Sequence, residues 1–385
     1  MATSTVDDVR VEGGRPGTAA EPTTPRSGHS LRIAVVAPPW FELPPRGYGG
    51  VEAVVAHLVD QMVLRGHHVT LVASGAPGTL AQETRSVYDT APSDRVGTRE
   101  PEVAQAAAAA ALIDDLDVDL VHDHSLAGPL SARGRTAPTV VTVHVRPTGD
   151  YARYFRWLGR TADLVAVSGA QRALLPGVNW AGTVHNAIDV PTFPVREVKD
   201  DYVLWVGRFV EIKAPHLAID VARAAGRRIV LAGKCSEPAE KAFFEAEVAP
   251  RLGPDVEYVG EAGADLKREL YAGARCLVFP LQWEEPFGLV MAEAMACGTP
   301  VVALRRGAVP EVVPHGAGGL VVDELGDMAR AVVEADGLDP LVCRRIAEER
   351  FDLPVMAARY EQLYEDVLGA RVPRDRLRGG RTGST

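Results

Sequence analysis

The chain reads as α/β, with two doubly wound parallel-sheet domains facing one another across a cleft. Three observations predict this. Short apolar runs alternate with helical patterns from Leu31 nearly to the end, the signature of βαβ units stacked into parallel sheets. At 385 residues the sequence is longer than one hydrophobic core ordinarily serves, so two domains are expected. Residues 189–201 carry two prolines and a cluster of charges between the two series, where an interdomain linker belongs.

The elements follow in order. Residues 31–37 are an apolar strand. A Pro- and Gly-rich loop over 38–50 leads into a helical pattern over 51–64, which Gly66 closes. Residues 68–74 are the next strand, 75–100 read as loop, and 102–116 form an alanine-dominated helix. Strands over 120–122, 139–145, 164–167 and 183–186, with a helix over 151–160, complete the first series. The second runs strand 202–206, helix 215–225, strand 228–232, helix 238–251, strand 256–259 and helix 266–272. Strand 276–279 then stops at Pro280, and Pro286 suits the first position of a helix that Gly298 and Pro300 close, with Glu285 as its N-cap. Strand 320–322 follows, and a last helical pattern covers 353–369. The organisation expected is a disordered tail over 1–30, a first, acceptor-side domain over 31–195, and a second, nucleotide-binding domain over 196–352. A helix over 353–370 crosses back to the first domain, and a disordered basic tail covers 371–385. Two facing doubly wound sheets put a ligand cleft at the carboxyl ends of their strands.

Composition excludes several classes. The chain is 46% hydrophobic with mean hydropathy near zero, which is globular. Its formal net charge of −10 argues against a nucleic-acid partner. Cys235, Cys276, Cys297 and Cys343 are scattered without metal spacing and read as reduced thiols. No run approaches the ~18 apolar residues of a membrane span, and residues 1–30 lack a secretory h-region. The expected localisation is cytoplasmic.

Several constellations could carry chemistry. Glu285 and Glu293 bracket a helix start, and at 1.5 Å rise per residue they stand ~12 Å apart along its axis. A helix N-terminus favours phosphate, so a carboxylate on either side of it suggests two hydroxyl-bearing rings flanking a diphosphate. Taken alone, either Glu reads equally as a cap or a solvated charge. The first loop holds Gly47-Tyr48-Gly49-Gly50, whose glycines would let backbone approach a ligand; it is not the dinucleotide fingerprint, since the third Gly is missing, and a structural turn explains it too. Gly207 ends a strand and is followed by Arg208 and Lys213, two cations able to clamp a diphosphate without a metal. His122, His124 and His144 stand at carboxyl ends of first-domain strands. They lack a third-ligand spacing for metal, leaving substrate hydrogen bonding by His124 or structural packing. His67 and His68 read as structural. The aromatic and basic stretch over 151–160 reads as a helix that packs its rings inward, with membrane contact as its weaker reading.

Together these residues resemble a known family, the retaining glycosyltransferases of family 4 with the GT-B fold of two Rossmann-like domains. The resemblance covers nearly everything from Leu31 to Gly369. Glu285-Pro-Phe-Gly-Leu-Val-Met-Ala-Glu293 matches the family's Glu-x7-Glu motif and is its strongest element. Gly49-Gly50, the stretch 65–71, Val121-His-Asp-His124, Gly207-Arg208 with Lys213, and Gly307 with Pro310-Glu311 support it. The resemblance implies transfer of a hexose-type sugar from a nucleotide-sugar donor to an acceptor hydroxyl, with retention, no metal and no cofactor. It implies that Glu285 holds donor-sugar hydroxyls, that backbone of Phe287, Gly288 and Leu289 meets sugar and phosphate, and that Glu293 binds ribose. Arg208 and Lys213 would neutralise the diphosphate, Gly49 and Gly50 would approach it, His124 would contact the sugar, and Gly260-Glu261 backbone, after Gly207, would border the base.

Three positions depart from the family pattern. Asn186-Ala187 replaces Asn-Gly, Gly307-Ala308 replaces Gly-Gly, and Arg275 replaces an Asp before a strand. None falls within the Glu-x7-Glu stretch or on the clamp residues. The alternatives are a nucleotide-sugar epimerase, a phosphorylase using free phosphate, or a non-catalytic nucleotide-binding partner protein. Acceptor contacts fall to the loops over 38–48 and 75–100.

Overall fold

The computed structural model describes residues 30–371; apart from Ser30 and Arg371, the two expected tails lie outside them. Strands β1 (Arg32–Val36), β2 (His68–Ala73), β3 (Glu83–Ser86), β4 (Leu120–Asp123), β5 (Thr139–Val143), β6 (Asp163–Ala166) and β7 (Trp180–Thr183) form a sheet in the order β3-β2-β1-β4-β5-β6-β7. Strands β8 (Val203–Val206), β9 (Ile229–Ala232), β10 (Val256–Tyr258), β11 (Leu277–Phe279), β12 (Val301–Leu304) and β13 (Gly319–Val322) form a second, β10-β9-β8-β11-β12-β13. Every pairing is parallel. Each order turns back at its first strand, between β1 and β4 and between β8 and β11, and such switch points open a crevice at the carboxyl ends.

Alternate strand residues feed separate cores, as burial on both faces requires. In the first half the helices are α1 (Gly50–Leu64), α2 (Arg99–Asp114), α3 (Asp150–Leu158) and α4 (Gly169–Ala173). Ile33 and Val35 pack with Leu58 and Met62 of α1, whereas Ala34 and Val36 pack with Ala109 and Ile113 of α2. The second half carries α5 (Pro215–Ala224), α6 (Pro238–Phe243), α7 (Ala264–Gly273), α8 (Leu289–Ala296), α9 (Val309–Val312), α10 (Met328–Glu334) and α11 (Pro340–Phe351). There Leu204 and Val206 share a core with Met291 and Met295 of α8, and Val203 and Trp205 with Ala218 and Ile219 of α5. The last helix, α12 (Leu353–Arg371), buries Met356, Tyr360, Leu363 and Tyr364 in the core of the first half. Its return is anchored beside the linker, where Ile188 N–H donates to the Phe351 carbonyl at 2.9 Å.

Four elements differ from the sequence expectation. Strand β3 lies inside the stretch read as loop, because Glu83-Thr-Arg-Ser86 is a polar, half-buried edge strand without apolar alternation. Strand β7 covers Trp180–Thr183 rather than 183–186; it too is a partly exposed edge. The helix expected over 238–251 is α6 followed by a π turn over Phe244–Val248 and a 3-10 turn over Ala249–Arg251. Most consequentially, α8 starts at Leu289, capped by Gly288 at φ 81. Pro286 is therefore not its first residue and Glu285 not its N-cap. The Glu285 carbonyl accepts instead from the Ala308 N–H at 2.9 Å, and the first bond of α8 runs from Met291 N–H to the Gly288 carbonyl at 3.0 Å.

Candidate active site

A cavity of about 320 Å³ opens between the halves, lined from one side by residues 45–50 after β1 and from the other by the ends of β8 and β9 and the first turn of α8. Glycine makes this approach possible. A Cβ on Gly50 would sit 3.1 Å from Leu289 Cδ1, and one on Gly47 would sit 2.7 Å from Glu261 Oε1. Gly49 holds φ 146, which a side chain rarely adopts. The loop is tied across the cleft: Tyr48 N–H donates to Glu261 Oε1 at 2.9 Å. Glu261 therefore contributes a strut from its side chain as well as cavity wall from the segment it follows.

Of the residues singled out from sequence, Gly49, Gly50, Gly207, Glu261, Leu289 and Glu293 line this one cavity. Lys213, Glu285, Arg208, Phe287, Gly288 and His124 do not form its wall. The buried carboxylate of Glu285 pairs with Lys213 Nζ and accepts from Trp283 Nε1 at 3.0 Å. Lys213 also stands 4.9 Å from the Trp283 ring centre, a cation–π contact that fixes the ammonium. Arg208 belongs to a different group: its Nε donates to Glu240 Oε1 at 2.7 Å and its Nη2 to Glu237 Oε2 at 3.1 Å. The two cations of the clamp thus come from separate ion-pair clusters. Phe287 is buried against His185 and Phe351 at 5.7 Å between ring centres, which leaves only its backbone for a ligand.

Glu293 is held from both sides. Lys267 Nζ donates to one oxygen at 2.7 Å and Tyr271 O–H to the other at 2.9 Å. A carboxylate has about four acceptor sites, so a pair of vicinal hydroxyls can still be accepted. Sequence reading missed both partners, since α7 carries no motif of its own.

The histidines separate. His122 is interior to β4, not at its end: its ring nitrogens meet Tyr364 O–H at 2.7 Å and Thr142 Oγ1 at 2.8 Å, beneath α12. It is structural and does not face the cleft. His124 Nδ1 lies 3.0 Å from His144 Nε2, while its own Nε2 is buried without a protein partner. Burial first, then the neighbouring imidazoles, holds His124 well below the usual histidine range. The ring is neutral with one unmatched nitrogen, which is buried off the cavity wall. His67 Nδ1 accepts from Leu31 N–H at 3.1 Å and is structural as expected. Helix α3 turns Phe155 and Leu158 inward but leaves Trp157 exposed under Arg160, against the expectation that its rings all pack.

Two further carboxylates are displaced from their ordinary ionisation. Glu311, on α9, accepts from Gly169 and Ala170 N–H at 2.9 and 3.2 Å and from His185 Nε2 at 2.6 Å, all in the first half. Burial opposes its ionisation, but these bonds outweigh it and bring its pKa to about 2. Glu52, in the first turn of α1, is buried and pushed up to about 7, chiefly by desolvation. Its folded pKa exceeds the unfolded value, so stability falls as pH rises from about 4.5 to about 7 and then levels off. Glu52→Gln removes that loss. Urea denaturation is expected to find the variant more stable at pH 8, by up to about 3 kcal/mol, and equal to the parent near pH 4.5; an equal offset at both pH values contradicts this assignment.

The departures from the family pattern lie differently. Ala187 lines the cavity, whereas Arg275 sits in a surface ion-pair group with Asp201 at 3.2 Å and Asp336 at 3.5 Å. Among the described residues, no group of three His, Cys, Asp or Glu side chains is arranged to hold a metal ion, and no helix is long and apolar enough to cross a membrane.

Comparison with known proteins follows the same division. The family described as glycosyl transferases group 1 matches residues 200–335, and the one described as glycosyltransferase family 4 matches residues 48–191. The phosphatidyl-myo-inositol mannosyltransferase of Mycolicibacterium smegmatis is 28% identical, over 89% of this chain and 95% of that protein. The crystal structure of AviGT4, a glycosyltransferase involved in avilamycin A biosynthesis, superposes with a TM-score of 0.65 at 27% identity, over 88% of this chain and 98% of that one. Anabaena HepE, solved with UDP and glucose, shares the fold at a TM-score of 0.68 and 18% identity, over 86% of this chain and 98% of that one.

Proposed function

The chain is a group 1 glycosyltransferase of the GT-B fold, and from that premise we propose that it is a retaining, family 4 enzyme moving a hexose-type sugar from a nucleotide-sugar donor to an acceptor hydroxyl, in the cytoplasm and without a metal. One observation carries the reading. Glu293, the paired glycines Gly49-Gly50 and the first turn of α8 line a single interdomain cavity, with the Lys213–Glu285 pair just before that helix. Glu293 takes the ribose hydroxyls, the α8 N–H groups take a phosphate, and Glu285 takes hydroxyls of the donor sugar.

Departure of the nucleoside diphosphate develops negative charge on the leaving oxygen. Arg208, Lys213 and the free N–H groups of α8 are positioned before the reaction and stabilise that charge with little reorganisation. The departing oxygen accepts the proton of the attacking hydroxyl on the same face, which yields retention without a protein nucleophile. His124 Nε2 is the hydrogen-bond partner of a sugar hydroxyl. The Tyr48–Glu261 and Glu311 contacts hold the halves together, and a closed cleft excludes water from the reacting carbon.

The test is incubation with a panel of nucleotide sugars and candidate acceptors, with and without EDTA, followed by NMR of the product's anomeric carbon. Transfer with retained configuration that survives EDTA is expected. Inverted product or EDTA-abolished turnover overturns the corresponding part, and epimerised donor in the absence of acceptor overturns transfer itself.

A further inference from the structure

We propose that Lys234 is a diphosphate-binding residue acting beside Arg208, and that Glu237 is a displaceable carboxylate bridging the two cations until a nucleoside diphosphate takes its place. The proposal rests on the nucleotide-sugar reading above.

The backbone brings these cations together. Strands β8 and β9 run directly into Gly207-Arg208 and Gly233-Lys234, and β10 reaches Gly260-Glu261 one residue later. Gly207 N–H donates to Ala232 O at 3.1 Å, Gly233 N–H to Gly260 O at 2.8 Å, and Phe209 N–H to Lys234 O at 3.1 Å. A Cβ on Gly233 would lie 1.7 Å from the Gly207 carbonyl oxygen, so only glycine permits this approach. Lys234 therefore lines the cavity, and it shares Glu237 and Glu240 with Arg208, which stands off the wall. Both cations face the Tyr48 ring of the opposite loop, at 5.6 and 5.7 Å.

Two carboxylates neutralise the pair, and they are not equivalent. Glu240 is fully buried. It accepts from Arg208 Nε at 2.7 Å and from the N–H groups of Ser236 and Glu237 at 2.9 and 3.0 Å, which makes it a permanent counter-ion. Glu237 has 38% of its side chain exposed. It gives one oxygen to each cation, Oε1 to Lys234 at 2.6 Å and Oε2 to Arg208 at 3.1 Å. Two oxygens of one anion bridging two cations is the arrangement a phosphate group offers, with more charge. When Glu237 swings into solvent, the two cations and Glu240 leave a net positive site at the edge of the cavity that Lys234 lines. The exchange swaps one charge-assisted contact for another and releases the Glu237 half of the capping box at the start of α6.

The experiment is calorimetric titration with UDP, GDP and ADP, and with the nucleoside matching whichever binds. Lys234→Met is expected to weaken that diphosphate by about tenfold or more while leaving the nucleoside unchanged. Lys234→Arg restores most of the affinity, and Glu237→Gln tightens it by several-fold because the resident competitor loses its charge. Unliganded melting temperatures of all three variants monitor the fold. If the parent binds a diphosphate and Lys234→Met binds it equally well, or if Glu237→Gln weakens it, the proposal falls alone. If the parent binds none of the three, the nucleotide-sugar reading falls and this proposal with it.

Discussion

Glu285→Ala is expected to lower kcat by about 10²–10³-fold while nucleoside diphosphate affinity stays within about threefold. The reason is where its carboxylate sits. Both of its hydrogen bonds, from Lys213 Nζ and Trp283 Nε1, fall on Oε2, which leaves Oε1 for a hydroxyl of the donor sugar. It lies before the first turn of α8, which the proposed mechanism makes the sugar side of the phosphate, with Glu293 on the ribose side. Removing Glu285 also frees Lys213, whose ammonium keeps its contact with the Trp283 ring. Phosphate binding is therefore retained and sugar placement is lost. Lys213→Ala alone is expected to cut kcat by at least about tenfold, and the double variant to lose less than the product of the two, because paired side chains act as one unit. Steady-state turnover with matched titrations of the diphosphate measures all of this. A Glu285→Ala protein whose diphosphate affinity suffers more than its kcat reverses the two glutamate assignments.

How much of this could be read from the chain is decided by where each signal lives. The apolar runs that became β1, β4, β8 and β11 are buried on both faces, so local hydrophobicity was enough to find them. The edge strands β3 and β7 carry polar, half-exposed residues and have no such signature. The start of α8 departs from the local rule for a tertiary reason. Pro286 satisfies the local rule for a first helical residue, but the Glu285 carbonyl is tied to Ala308, about twenty positions later, and the helix begins only after Gly288. The Glu285–Glu293 spacing was visible, yet the groups that hold them, Lys267 and Tyr271 on α7 and Trp283 in the preceding loop, belong to no motif. His122 and His124 look alike in sequence, and only the docking of α12 through Tyr364 separates the structural ring from its neighbour. Lys234 is the instructive case, since the repeated strand-glycine-charge pattern at 207, 233 and 260 was present throughout. Its meaning lay in the backbone contact between consecutive strand ends.

Gly307→Ala is expected to lower kcat by about a hundredfold without unfolding the protein, although residue 307 carries no side chain and touches no substrate. Its φ is 52, and a Cβ there would lie 2.3 Å from the Glu285 carbonyl oxygen and 2.4 Å from the Glu285 nitrogen. Both neighbours are backbone, so no rotamer change relieves the overlap; the loop bearing Glu285 must shift. A displacement of about 1 Å in a positioning group costs on the order of 10²-fold in rate. The left-handed backbone adds about 1–2 kcal/mol of strain for a non-glycine residue, which a two-domain core absorbs. The adjacent residue behaves oppositely. Ala308 has φ −76 and is fully buried, and its N–H holds the Glu285 carbonyl. Nothing in its backbone demands glycine, which explains why the Gly-Gly pair of the resembled family can read Gly307-Ala308 here. Ala308→Gly should therefore keep kcat within about twofold and lose only ~1 kcal/mol of stability. The pair of variants separates two accounts of this turn. If the turn serves folding alone, both substitutions change melting temperature and neither changes kcat. If it serves to seat Glu285, only Gly307→Ala loses turnover, and it does so with diphosphate affinity intact, matching the Glu285→Ala profile in kind and falling short of it in size.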